Sequence, residues 1–248
     1  MTVLKHKPPK NLLRPVGRAI GDYAMIRDGD RLLLGLSGGK DSLTLLHVLV
    51  HLQSYAPVKF ELAAATVDPC IEGFDPSPLK RYLAGLGVEY FYRRQDIEDQ
   101  ARQNMDGDSF CSYCSRMRRG ILYSTARENN YNVLVLAQHL DDLAESFMMS
   151  AFHGGSLRTM KAAYVNDAGD LRVIRPLVYA RERQLERFAA EAGLPVIMDN
   201  CPACFSKPTQ RQHMKLLLEQ EEKATEHLFA NLLHAMRPLM GDKAEKSQ

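Results

Sequence analysis

No apolar stretch in these 248 residues approaches the ~20 needed to span a bilayer, so no membrane partner is expected. The first ten residues, Met1 to Lys10, are basic but lack the apolar h-region of a secretory leader. Excess charge of one sign is lacking as well. Thirty-two Lys and Arg stand against 30 Asp and Glu, a net +2 that neither demands nor excludes nucleic acid. Cysteine is scarce, five residues in all. A cytoplasmic, reducing location is expected, where paired cysteines speak for metal or redox chemistry rather than structural disulfides. What is present is an ordinary globular composition, 45% hydrophobic and 25% charged, long enough for one sizeable core with or without appendages.

The chain is organised around residues 32–42. Leu32 to Leu36 is a short apolar run that reads as a strand buried on both faces. It stops at Ser37-Gly38-Gly39, and then Leu43, Leu45, Leu46, Val48, Leu49 and Leu52 recur at helical spacing. Strand, glycine turn and helix follow one another, so unpaired N–H groups and a positive dipole end face whatever sits in the turn. Ser37 and Ser42 add hydroxyls and Lys40 adds a charge, and a phosphate group is the expected guest. The Walker spacing is absent: only three residues separate Gly35 from Gly39, and Asp41 follows Lys40. Ser37-Gly38-Gly39-Lys40-Asp41-Ser42 resembles instead the PP-loop of the ATP pyrophosphatases. The resemblance implies cleavage of ATP between its α and β phosphates.

Residues 1–20 carry Lys5, His6, Lys7, Lys10, Arg14 and Arg18 and read as a basic arm entering a helix, either touching RNA or solvated. Further strands are expected at Phe60 to Val67, Val88 to Tyr92, Val133 to Ala137 and Leu171 to Ile174, with helices between them. The alternation predicts an α/β fold, a doubly wound parallel sheet with C-terminal helices. Ligands of such sheets lie at the carboxyl ends of the strands, which places Ala65 and Asp68 near an adenosine. Gln138-His139-Leu140-Asp141-Asp142 opens a helix at a strand end, so Asp141 and Asp142 are expected as N-caps or as ligands of Mg²⁺ and nucleotide. His139 alone is more often structural. Arg116, Arg118 and Arg119 crowd the expected first turn of a helix ending near Glu128, against its dipole, which suggests a bound anion. Residues 153–168 read as a flexible basic excursion, 201–240 as a cysteine loop with two helices, and 241–248 as a disordered tail.

Cys111/Cys114 and Cys201/Cys204 both have C-x-x-C spacing, and their first members are 90 positions apart. Such pairs suit a four-cysteine zinc site, a redox pair or an iron–sulfur cluster, and spacing does not choose among them.

Taken together, the PP-loop, Cys111-Ser112-Tyr113-Cys114-Ser115-Arg116-Met117-Arg118-Arg119-Gly120, Leu140-Asp141-Asp142, Ile174-Arg175-Pro176-Leu177 and Gln210-Arg211-Gln212 resemble the tRNA 2-thiocytidine biosynthesis family, from about Arg14 to Leu218. The family reads Gly-His-His-Arg-Asp-Asp where this chain has Ala137-Gln138-His139-Leu140-Asp141-Asp142. The resemblance implies an enzyme that adenylates an anticodon-loop cytidine of tRNA with ATP and Mg²⁺ and then exchanges the activated oxygen for sulfur. It implies a 4Fe-4S cluster on Cys111, Cys114 and one late cysteine, Cys204 ahead of Cys201. Asp41, Arg118 and Asp142 are the implied catalytic residues, and Ser37 to Ser42, Ala65, Asp68, His139, Asp141 and Asp142 the implied nucleotide and Mg²⁺ site. Expected partners are tRNA and a sulfur donor such as a cysteine desulfurase; a homodimer is allowed. The rival expectations are another PP-loop ligase with structural zinc and a redox-sensing nucleotide-binding module.

Overall fold

Leucines alternate across the central strand. Leu32, Leu34 and Leu36 join one apolar cluster and Leu33 the other, so each face of the sheet must be covered by helices. The computed structural model describes residues 6–70, 73–96, 110–197 and 209–241. Its elements, in chain order, are α1 (Lys10–Asp22), β1 (Asp30–Gly35), α2 (Lys40–Tyr55), β2 (Phe60–Asp68), α3 (Ser77–Gly85), β3 (Glu89–Arg94), α4 (Phe110–Glu128), β4 (Val133–Val135), α5 (Leu140–Gly154), β5 (Ala163–Val165), β6 (Arg172–Ile174), α6 (Glu182–Glu191), α7 (Gln210–Ala224) and α8 (Leu228–Met240).

The sheet runs β3-β2-β1-β4-β6-β5, parallel except for β5. Strand order reverses between β1 and β4, which opens the crevice at their carboxyl ends. On one face α1, α2, α3, α5 and α6 pack around Leu45, Leu49, Leu79, Leu143 and Leu185. On the other, among the described residues, α4 supplies the cover through Cys114, Leu122 and Ala126. Gly35 permits this close approach: a Cβ there would lie 3.1 Å from a Leu122 methyl. No helix among the described residues is long and apolar enough to cross a membrane.

The helix expected to follow the basic arm is α1, packed with Leu12, Val16 and Ala19 fully buried. Two expectations are corrected. Residues 163–165, expected within a flexible excursion, form the antiparallel edge strand β5, and Ala162 N–H donates to the Met240 carbonyl at the end of α8. Helix α4 begins at Phe110, so Arg116, Arg118 and Arg119 lie beyond its first turn, and their opposition to its dipole is lost. Residues 242–248 and the late cysteine pair fall outside the described residues.

Candidate active site

The turn after β1 is built to leave donors unused. Leu36 N–H donates to the Ala65 carbonyl, and the buried Thr66 hydroxyl donates to the Leu36 carbonyl at 2.7 Å, fixing where the strand ends. Gly38 has φ +87°, and a Cβ there would press on Ile197 at 3.1 Å, so glycine is required twice over. Gly39 is the N-cap of α2 and offers no side-chain cap, so the first N–H groups of the helix remain available to an anion. Ser37 Oγ accepts from Gly39 N–H at 3.2 Å and lies 3.1 Å from Ser42 Oγ, whose hydroxyl donates to the Gly39 carbonyl.

Charges converge on this turn from three helices. Asp41, in the first turn of α2, has one carboxylate oxygen buried with no hydrogen-bond partner among the described residues. Burial raises its pKa, reinforced by Asp142, against the lowering effect of His139 and Lys40. His139, the N-cap of α5, forms a reciprocal box with Asp142: the Asp142 carboxylate accepts from His139 N–H at 3.0 Å, and the Asp142 N–H donates to His139 Nδ1. Arg211 of α7 reaches Asp142 at 3.4 Å and the buried Glu145 at 3.7 Å. Burial next to Asp142 pushes the Glu145 carboxyl up to about 7. For His139, burial pulls the pKa down, but the carboxylates of Asp141, Asp142 and Asp41 outweigh it and hold the imidazole above its ordinary value.

A cavity of about 840 Å³ opens over the turn, within the size range of ligand sites. Ser37, Asp41, Ser42, Ala65, Cys114, Arg118 and Asp142 all line it. The Arg118 Nε is buried without a hydrogen-bond partner among the described residues. The PP-loop and one half of the first cysteine pair therefore face one space. Cys111 lies in the first turn of α4, with its side chain outside the described residues, as are Cys201 and Cys204. The described chain on either side of residues 198–208 ends at this site, Ile197 N–H on the Gly38 carbonyl at 2.9 Å and Arg211 on Asp142. No group of three or more His, Cys, Asp or Glu among the described residues is arranged to hold a metal ion.

Other expected site residues are engaged elsewhere. Asp141 accepts from Arg181 at 3.1 Å and from Glu182 N–H at 2.7 Å, so it anchors the start of α6. Asp68 accepts from the Tyr92 hydroxyl and from Cys70 N–H, organising the end of β2. His139 is buried as the cap of α5. Lys40 is held by Glu182 at 2.8 Å, and Glu182 in turn by Lys215 at 2.7 Å. This three-residue link joins α2, α6 and α7, and both its lysines are only partly exposed. Glu182→Gln should therefore lower stability by about 1–2 kcal/mol, between the surface and buried ion-pair limits. The melting temperature should fall by roughly 2–8 °C. A cycle with Lys40→Met should show coupling between the two.

Sequence reasoning missed Glu145, Arg181, Glu182 and Tyr164. Glu145 carried a signal, since it sits three residues after Asp142 on one helix face. Glu182 carried none, because its partners lie 142 and 33 residues away.

A PP-loop domain family model matches residues 10–215. A tRNA-cytidine(32) 2-sulfurtransferase of Geobacter sulfurreducens is 41% identical over 228 residues, covering 92% of this chain and 89% of that protein. The Vibrio vulnificus protein of the same name is 40% identical over 234 residues, covering 94% of this chain and 75% of its own. Among solved structures, the U34-tRNA thiolase NcsA of Methanococcus maripaludis, with its 4Fe-4S cluster, superposes with a TM-score of 0.76 at 22% identity, over 93% of this chain and 78% of that one. That likeness supports the fold. The identities along nearly the whole length, with a PP-loop at the head of the cavity, place the chain in the PP-loop family of tRNA-cytidine 2-sulfurtransferases.

Proposed function

We propose that this chain is an ATP-dependent tRNA sulfurtransferase acting on a cytidine, the position-32 base for which its relatives are named. One observation carries the reading: Cys114 lines the same cavity as Ser37, Asp41 and Ser42. An activating site and a cysteine of a C-x-x-C pair share one space.

The uncapped N-terminus of α2, with Ser37 and Ser42, would take the pyrophosphate end of ATP. The buried Asp41 oxygen, without a partner among the described residues, and the cavity-facing Asp142 fit Mg²⁺, which would offset the phosphate charge that two carboxylates alone would repel. The cytosine O2 attacks the α-phosphorus, an O–P bond forms, and pyrophosphate leaves. Arg118, whose buried Nε has no hydrogen-bond partner among the described residues, lines the cavity and would neutralise charge on the transferred phosphate. Sulfide then adds to C2, and the C–O bond to AMP breaks. Cys111, Cys114 and a late cysteine, Cys204 or Cys201, would hold the 4Fe-4S cluster, which supplies an iron position able to carry sulfide. Three residues lie between Cys201 and Ile197, whose N–H donates to the Gly38 carbonyl of the PP-loop. The sulfur comes from a donor such as a cysteine desulfurase. Arg119, Arg158 and Lys161 would meet tRNA phosphates.

The test is nucleoside mass spectrometry of tRNA from a strain lacking this chain. Loss of 2-thiocytidine, restored by the intact chain, is expected; an unchanged 2-thiocytidine level sinks the reading.

A further inference from the structure

We propose that Gln138 selects cytosine over uracil, with Arg175 as its positioning residue; this rests on the proposed function and names how that site reads its base. The sheet order gives the cavity two sides about the PP-loop of β1. Ala65, in the C-terminal half of β2, lines one side. Gln138 follows β4, Arg175 follows β6 and Tyr164 lies in β5, and all three line the other. With adenosine over β2, the β4–β6 side is left for the acceptor base.

The orientation of the Gln138 amide on that side is fixed by chemistry. Arg175 is only 4% exposed. Its guanidinium donates to Gln138 Oε1 at 2.8 Å and to the Lys161 carbonyl at 2.6 Å. A guanidinium has no acceptor, so the amide atom it meets must be the oxygen. The Gln138 NH₂ group is thereby turned away from Arg175, on a cavity-lining residue, and has no acceptor among the described residues. The β4–β6 side thus offers a donor at a defined place. Beside it, Arg175 lies over the Tyr164 ring, 5.5 Å from the centroid. A base drawn out of its stack is held by such aromatic and guanidinium faces and read on its pairing edge.

Cytosine presents lone pairs at O2 and N3, whereas uracil carries a hydrogen at N3. O2 must stay free to attack phosphorus, so the donor belongs at N3. There it meets an acceptor in cytosine and another donor in uracil. It also withdraws charge from N3 as C2 becomes tetrahedral. One base-edge contact of this kind is worth roughly a ten- to hundredfold preference.

The test is ATP–pyrophosphate exchange stimulated by tRNA transcripts carrying C or U at the target position. Wild type is compared with Gln138→Glu and Gln138→Met. Gln138→Glu keeps a partner for Arg175 but replaces the donor with an acceptor, and Gln138→Met removes the donor without adding charge. Both should lower the C-to-U ratio at least tenfold, Gln138→Glu the more, with the KM for ATP within threefold of wild type. If one variant fails to fold, the other decides. A ratio within threefold of wild type overturns the proposal, as does a KM for ATP raised more than tenfold at unchanged ratio, which would put Gln138 on ATP. Wild type with no exchange on any tRNA would overturn the proposed function as well.

Discussion

Asp41→Asn should abolish ATP–pyrophosphate exchange while leaving the melting temperature at neutral pH unchanged or higher. The two effects have one cause. Asp41 sits in the first turn of α2, where the helix dipole favours a negative charge, yet one of its oxygens is buried without a partner among the described residues. Burial and Asp142 raise its pKa above the ordinary value of about 3.9, against His139 and Lys40. A carboxyl whose folded pKa is raised penalises folding above that pKa, and the penalty vanishes below the unfolded value. Asparagine removes the penalty, so any gain in stability belongs to neutral pH and shrinks as the pH falls below about 4. In catalysis the sign reverses. A carboxylate facing phosphates is useful only with a cation between them, and loss of such a charge in a preorganised site costs on the order of 10²–10³-fold in rate. Exchange kinetics and pH-dependent melting of one variant check both. Full exchange in Asp41→Asn would remove Asp41 from the cation site.

What the sequence disclosed follows from how local each signal is. The β1–turn–α2 unit was legible because the period of its leucines changes from strand to helix spacing at two glycines within five residues, Leu36 to Lys40. The parallel sheet followed from βα alternation. Strand β5 was not legible: its three residues are half-exposed or exposed, and only pairing with β6 makes them a strand. The roles of Asp141 and Asp142 could not be separated either. Adjacent helical residues point about 100° apart, so one carboxylate meets Arg181 and the other Arg211. Which of them faces the cavity depends on where α6 and α7 pack. Arg175 was visible only as a letter in a motif. Its meaning comes from burial against Gln138 and the Lys161 carbonyl, 37 and 14 residues away.

Cys114→Ala should separate the two half-reactions. Cys114 is 9% exposed and belongs to the apolar cluster under α4, yet it also lines the cavity that holds Ser37 and Asp41. Its removal takes one buried sulfur from the core, a loss on the order of 1 kcal/mol, too little to unfold the domain. Among the described residues, α4 meets the strand that leads into the PP-loop where Leu122 lies against Gly35, away from Cys114, so the pyrophosphate end of the site should keep its shape. ATP–pyrophosphate exchange with tRNA is therefore expected within threefold of wild type. Thiolation is expected to disappear, because the proposed sulfur-carrying centre, if held by three thiolates, would lose one ligand and with it its position over the activated base. Iron and acid-labile sulfide, assayed on anaerobically purified protein, should fall together with 2-thiocytidine. The opposite pattern, full thiolation with one cysteine missing, would mean that the cavity-facing thiol only packs α4 onto the sheet and that sulfur enters from elsewhere.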